Sequence, residues 1–298
     1  MRTFEILLTL LSFIMLFQQK IPRKLAAAAG FTSIGVLVGQ LFFEGYRWQM
    51  VLIYLISAAL AFIAIFGKRL QIRIWKPLKY GLYALTFVML AVSAFLSVYL
   101  PVFDLPKPDG AYSVGTKTFH LTDRGREETL TKNPHDKREL MVQAWYPAQG
   151  LNGQKQAPLF PEDPNTFHKY IERFADGFGL PSFALDYWRY IKTNSYENAA
   201  ISSAEDRYPV VVISHGFGTS RLLHASQAEH LASHGFIAIA IDHTYSTMAT
   251  AFPGGRVQVN NRAIYEWRFR KQQQAREHLD AGRRLCHQPI GSAESRCL

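Results

Sequence analysis

Cysteine is nearly absent: the 298 residues hold two, Cys286 and Cys297, both near the C-terminus. That scarcity excludes a disulfide scaffold and a Cys-rich zinc module. Charge is sparse as well, at 19%, while aromatic residues reach 13% and apolar ones 48%. A disordered or solvating chain has the reverse balance. Internal repeats and low-complexity tracts are missing. So is the G-x-S-x-G elbow that exposes a nucleophilic serine between strand and helix, because no serine here has a glycine two residues before and two after it. What remains is a chain long enough for one large domain or two ordinary ones, with material for a sizeable core.

The net charge of +10 is unevenly placed. Residues 1–103 carry 10 basic and 2 acidic side chains; residues 104–298 carry 23 and 21. The excess therefore sits among apolar segments, where it sets membrane orientation, and no nucleic-acid partner is expected. Four apolar stretches stand out: Phe4–Phe17, Leu25–Phe43, Met50–Gly67 and Tyr80–Val102. The last three are long enough, at about 1.5 Å per residue, to approach or exceed roughly 30 Å of hydrocarbon. The first reads as a short or tilted membrane helix. It is not read as a signal peptide, because the cleavage-like Ala26–Ala29 lies beyond Lys20, Arg23 and Lys24. Those three cations fill the first loop, and Lys68, Arg69, Arg73, Lys76 and Lys79 fill the third, whereas the second holds only Glu44 and Arg47. The positive-inside rule puts both basic loops in the cytoplasm and everything after Val102 outside. Tyr46, Trp48, Tyr80, Tyr83 and Tyr99 suit an aromatic belt. No charged side chain is expected to be buried within a span, so residues 1–103 read as an anchor of about four spans in the cell membrane, not as an ion path.

The soluble part begins with a Pro-rich exit, Asp104–Gly110, and residues 104–137 read as a linker and irregular lead-in. Leu140–Tyr146, ended by Pro147, predicts a strand. Helical patches fall near Thr166–Phe174 and Phe183–Ile191. Tyr208–Ser214 is a β-branched run typical of a strand buried on both faces. A glycine-punctuated turn, His215–Gly218, then leads to a helix capped by Thr219 or Ser220 and stopped by His234-Gly235. Phe236–Ile241, ended by Asp242, is a second buried strand. Strand, helix and strand with short connections imply a right-handed βαβ unit and a mainly parallel sheet within residues 138–298.

Ligands gather at the C-terminal ends of parallel strands, here Ser214–Gly218 and Asp242–Tyr245. A small-residue turn entering a helix N-terminus aims backbone N–H groups at one point, which is what a developing oxyanion requires. Gly216 and Gly218 leave the Phe217 amide open to close approach; an ordinary βα turn uses the same glycines for geometry alone. Asp242 and His243 could line a pocket mouth or simply meet water. Ser214 and His215 are a poor nucleophile–base pair, because neighbours on a strand end point to opposite sides. His224, His230 and His234 read as a solvated helix face more readily than as metal ligands, and Trp145 and Tyr146 as core.

VVVISHGFGTSR, the following helix, LASHGFIAIAIDHTYSTMATAFPGG and the upstream VQAWYPA resemble the platelet-activating-factor acetylhydrolase family of α/β-hydrolases. The likeness is nearest to bacterial members with hydrophobic N-terminal segments. It implies hydrolysis of short-acyl or oxidised phospholipid esters by a Ser–Asp–His triad without metal or cofactor, the Phe217 N–H forming part of the oxyanion hole. A lipase or dienelactone-hydrolase relative, and a non-catalytic membrane protein with a partial α/β binding module, are the other readings. After Phe269 apolar periodicity collapses, and a reading frame shifted by one nucleotide from Glu277 permits an amphipathic helix instead. The expectation is an incomplete α/β-hydrolase, cut before its nucleophile with residues 271–298 a suspect tail, lacking esterase activity and exposing an unpaired sheet edge.

Overall fold

The structure, a computed structural model, describes residues 1–70, 75–131, 133–216 and 218–260, together with 270, 271, 273, 276 and 277. Four helices lead the chain: α1 (Thr3–Leu16), α2 (Arg23–Gly39), α3 (Val51–Leu70) and α4 (Lys76–Tyr99). Then follow β1 (Ser113–Glu127), β2 (Lys137–Gln149), β3 (Gln156–Pro158), α5 (Pro164–Gly177), β4 (Lys192–Glu197), β5 (Ala200–Ile201), β6 (Val210–Ser214), α6 (Ala225–Ser233), β7 (Ile237–Asp242), β8 (Ala249–Ala251) and β9 (Val257–Val259). They divide into two compact units: Met1–Asp109 with Leu151–Glu197, and Gly110–Gly150 with the rest of the chain from Asn198.

In the first unit, three helical stretches are long and apolar enough to cross a membrane: Arg23–Glu44, Trp48–Gly67 and Lys76–Tyr99. α1, with 14 residues, falls short of the about 20 a span needs, so four spans reduce to three plus a shorter apolar helix. α2 and α3 approach closely where Gly30 faces Ala61 and Ala64, and Ser33 and Ser57 share a hydrogen bond of 2.6 Å between them. One end of the bundle is charged. Glu5, fully buried in the first turn of α1, accepts from the Arg47 guanidinium at 2.8 Å and from Arg2 at 2.7 Å. Arg47 also donates to the Leu100 carbonyl, and Glu44 accepts from the Phe4 amide at 2.9 Å. The expectation of no buried charge in the apolar segments is thereby overturned: α1 starts within the polar end of the bundle, where Glu5 finds two cations and a helix N-terminus. At the other end Lys79 donates to Gln19 at 2.6 Å, bringing the first loop beside the start of α4.

Leu151–Glu197 packs on the charged end. Its own core is aromatic, with Phe160 stacked on Trp188 at 5.3 Å and ringed by Phe167, Tyr170 and Phe174. The 3₁₀ stretch Ser182–Tyr190 meets the bundle: the Trp48 indole N–H donates to the Ala184 carbonyl at 3.1 Å, and Tyr187 lies against Arg47 with 5.5 Å to the ring centre. Gly45, at φ 77°, leaves room for Tyr190, whose hydroxyl a Cβ there would approach to 2.5 Å.

In the second unit the sheet order is β1-β2-β7-β6, with β5 also on β2. β1 and β2 run antiparallel from Ser113↔Ala148 to Asp123↔Arg138, β2 and β7 antiparallel from Met141↔Asp242 to Trp145↔Ala238, and β6 and β7 parallel. The sheet is mixed, not mainly parallel, because the α6 crossover imposes parallel pairing on β6 and β7 alone while β1 turns directly back into β2. β1 replaces the expected irregular lead-in. Its residues from Lys117 onward are exposed, so ladder bonds rather than an apolar face specify it. Pro147 does not stop β2; it lies past the last β7 pair, where its carbonyl accepts from the Ser202 amide at 2.8 Å and no ladder donor is needed. Ala238 and Ala240 of β7 and Trp145 of β2 are buried, as are Ala228 and Ala232 of α6, the helix that packs on both strands. β6 departs from expectation: Val210 and Val212 are 57% and 62% exposed, and among the described residues β7 is its one strand partner.

Candidate functional site

β6 and β7 end side by side, with Ser214 opposite Ile241. Two residues beyond Ile241, His243 leaves the strand and swings its ring back over the end of β6. The Ser214 hydroxyl, exposed, lies 2.8 Å from His243 Nε2. This couple was not evident from the sequence, where Ser214 stands beside a different histidine.

His215 has another task. Its Nδ1 is 2.7 Å from the Gly216 carbonyl, and its Nε2 is 3.1 Å from the His243 amide. A carbonyl only accepts and an amide N–H only donates, so Nδ1 carries the proton, Nε2 is bare and the ring is neutral. As expected for strand neighbours, the ring does not serve Ser214. Instead it pins the backbone of His243. The His243 carbonyl is held in turn by the Ser246 amide at 2.8 Å, the Thr247 amide at 3.1 Å and the Thr247 hydroxyl at 2.9 Å. The imidazole thus projects from a backbone fixed on both sides.

Asp242 does not line an opening. β7 buries alternate residues, and Asp242 falls on the inner face with Ala238 and Ala240, fully enclosed. Its carboxylate accepts from the Arg221 amide at 2.8 Å and from the Arg221 guanidinium. Asp242 therefore anchors the 3₁₀ turn Arg221–His224 that introduces α6, while His243, one residue on, takes the outer side.

The loop between β6 and that turn is folded on itself. Thr219 donates to the Gly216 carbonyl through its amide at 3.1 Å and its hydroxyl at 2.7 Å. Gly218 adopts φ 76°, a conformation that glycine enters without a Cβ penalty, and its amide donates to the Ser246 carbonyl at 3.3 Å. Phe217, whose amide the family resemblance assigns to the acyl oxygen, lies outside the described residues, as do Cys286, Cys297 and most of the tail.

The run from His243 to Thr247 contributes more than expected. Tyr245 takes φ 71°, and burial pushes its hydroxyl up from the ordinary tyrosine value. The Thr244 hydroxyl donates to the Glu139 carbonyl at 2.6 Å, and Arg138 reaches the Thr244 carbonyl at 3.1 Å while pairing with Glu128 at 2.7 Å. The sequence signal was available: a Ser/Thr-rich run directly after a buried strand is what a side-chain-braced turn looks like. Elsewhere, His230 and His234 lie on the exposed side of α6, with the His234 Nδ1 2.9 Å from the His230 carbonyl, and His224 meets Gln227 at 2.8 Å. Trp145 is core, and the Tyr146 hydroxyl donates to the Ala199 carbonyl at 2.8 Å.

A hydroxyl at hydrogen-bond distance from a fixed imidazole, beside a glycine-punctuated loop at the C-terminal edge of a parallel strand pair, is the equipment of acyl transfer. Several known proteins are similar to this chain. The family model described as platelet-activating factor acetylhydrolase, isoform II, matches residues 100–284. Platelet-activating factor acetylhydrolase of Cavia porcellus is 25% identical over 50% of this chain and 30% of its own length, and that of Canis lupus familiaris is 27% identical over 47% and 28%. A probable 1-alkyl-2-acetylglycerophosphocholine esterase of Arthroderma benhamiae is 26% identical over 59% of this chain and 47% of its own length. A ferulic acid esterase from Streptomyces cinnamoneus aligns with a TM-score of 0.43 at 29% identity, covering 55% of this chain and 43% of that one. The chain spans less than half the length of each of these relatives. With more than half of its residues under the family model, and the β6–loop–α6–β7 unit inside the match, the chain belongs to the platelet-activating factor acetylhydrolase isoform II family.

Proposed function

We propose that this chain acts on carboxylic esters, specifically short-acyl phospholipids or related esters, and that the loop from Ser214 to Gly218 receives the acyl oxygen. The observation that carries this reading is the family match across residues 100–284, which takes in the loop, the Ser214–His243 contact and the turn that braces them. The names of the relatives point to 2-acetyl glycerophosphocholines as a starting substrate class. The sequence has no G-x-S-x-G serine, so binding of the ester is the first step this chain itself is expected to supply.

The three long apolar helices serve as a membrane anchor, with the charged end of the bundle and the segment packed on it outside the cell and the basic loops in the cytoplasm. That placement brings the soluble part to the surface where phospholipids lie. A non-catalytic membrane protein with a partial α/β module remains the competing reading, and binding separates it from the first. Purified full chain in detergent is titrated with a 1-alkyl-2-acetamido glycerophosphocholine, whose amide resists cleavage. Saturable binding that Gly218→Val weakens at least tenfold, while the circular dichroism spectrum is retained, supports an ester site. Binding no better than to the lyso lipid, or unchanged by that substitution, removes it.

A further inference from the structure

Two imidazoles meet at the end of α6. His230 and His234 are both exposed, four residues apart, with ring centres 4.6 Å from each other. That spacing stacks them on one side of the helix, whereas His224, six residues before His230, falls on another. The sequence favours a solvated face for such a pair, but the hydrogen bonds around it say more. His234 Nδ1 lies 2.9 Å from the His230 carbonyl and 3.2 Å from Ser233 Oγ, and the Ser233 hydroxyl donates to that same carbonyl at 2.8 Å. Both neighbours of Nδ1 therefore accept, so Nδ1 carries the proton and Nε2 is the basic nitrogen. An imidazole whose second N–H is tied to a backbone carbonyl has its tautomer and ring direction fixed, which is how metal-ligating histidines are supported. The backbone beneath is braced as well. The Ser233 carbonyl accepts from the Tyr112 amide at 3.0 Å, and Ser233 Oγ accepts from the Gly110 amide at 3.2 Å, an approach that a Cβ at Gly110 would block.

We propose that His230 and His234 together bind a divalent transition-metal ion of the zinc kind, through His234 Nε2 and a ring nitrogen of His230, with water in the remaining positions. Ring nitrogens of the two residues lie within 4.8 Å of each other. Two nitrogens on one tetrahedral zinc, each about 2.0–2.1 Å from the ion, stand roughly 3.4 Å apart. Rotation of exposed side chains closes that difference without moving the backbone. Imidazole suits zinc, copper and nickel, whereas calcium and magnesium demand oxygen ligands, so the donor set selects the class of ion. The pair sits where α6 ends and the chain turns through Gly235 into β7, at the opposite end of that strand from Asp242 and His243. The ion would pin the end of the helix and take no part in ester chemistry, so this site stands apart from the reading above.

Titration with the metal alone tests the site. The full chain in detergent, with Cys286 and Cys297 replaced by serine to remove competing thiols, is titrated with zinc chloride by calorimetry. Saturable binding is expected, at least tenfold weaker in His230→Gln and in His234→Gln and unchanged in His224→Gln. Hydrogen exchange locates the ion: saturating Zn²⁺ should raise amide protection over Leu231–Gly235 in the parent chain and in neither histidine variant. Circular dichroism matching the parent shows that the variants are folded, and should His234→Gln fail to fold, His230→Gln on the exposed turn decides. Absence of saturable binding overturns the proposal, as does binding that survives His230→Gln combined with His234→Gln. Weakening by only one of two folded single variants overturns it as well, because the ion would then be held elsewhere by a single imidazole of this pair.

Discussion

Arg221 and Asp242 are held almost wholly out of water, the carboxylate fully so. Two such charges tolerate burial only because each satisfies the other and the Arg221 amide adds a further donor. Removing one leaves the other stranded. Arg221→Ala is expected to destabilise the second unit by about 3–5 kcal/mol, the usual cost of breaking a buried pair, and Asp242→Asn by less, since an amide retains one acceptor without its charge. Urea unfolding of the protein in detergent measures both; equal, small effects would show that water reaches the pair. The inward role of Asp242 was half-visible in the sequence: alternation along Ile237–Asp242 fixes its face, but the partner 21 residues away does not follow from any local pattern. The Ser214–His243 contact was illegible for the same reason. It depends on the register Ser214↔Ile241, which only pairing supplies.

Among the elements, α5 shows how a short sequence signal sets a boundary. Asp163 precedes Pro164 and caps the helix, accepting from the Thr166 hydroxyl at 2.6 Å and the Thr166 amide at 2.8 Å. Those hydrogen bonds, the side-chain one foremost, hold its carboxyl below the usual aspartate value. A lowered folded value means that the cap stabilises the helix fully above the unfolded aspartate pKa, about 3.9, and that the contribution fades as pH falls through the lower folded value. Asp163→Ala should therefore reduce amide protection in α5 at neutral pH, and the difference from wild type should close under acid conditions, as followed by hydrogen exchange. A gap that persists unchanged at low pH would mean that the cap works without its charge. The elements legible in the sequence were those with an apolar pattern of their own, α1 to α6, β2, β6 and β7. β1 was missed because its outer stretch is exposed on both faces and exists through its ladder with β2.

For the molecule as a whole, the sequence says more about the apolar helices of the first unit than about the sheet. Loop charge carries the proposed sidedness, and the contacts at the two ends of the bundle keep the two classes of loop apart: Glu5, Glu44 and Arg47 gather at one end, Lys79 and Gln19 at the other. With Cys286 and Cys297 replaced by serine, Tyr46→Cys in intact cells should react with a membrane-impermeant maleimide, and Lys24→Cys should react only after the membrane is opened. The reverse pattern would invert the proposed orientation and place residues 104–298 on the cytoplasmic side.

The outer strand of the second unit has a consequence for handling the protein. Among the described residues β6 has β7 as its one strand partner and presents Val210 and Val212 to solvent, an uncharged seam along which molecules can zip together. Storage should therefore fail by a concentration-dependent route, with turbidity seeded by material already clumped. Val212→Lys, which puts a gatekeeper cation in the middle of the seam, is expected to delay the onset in light scattering several-fold while leaving the melting temperature nearly unmoved.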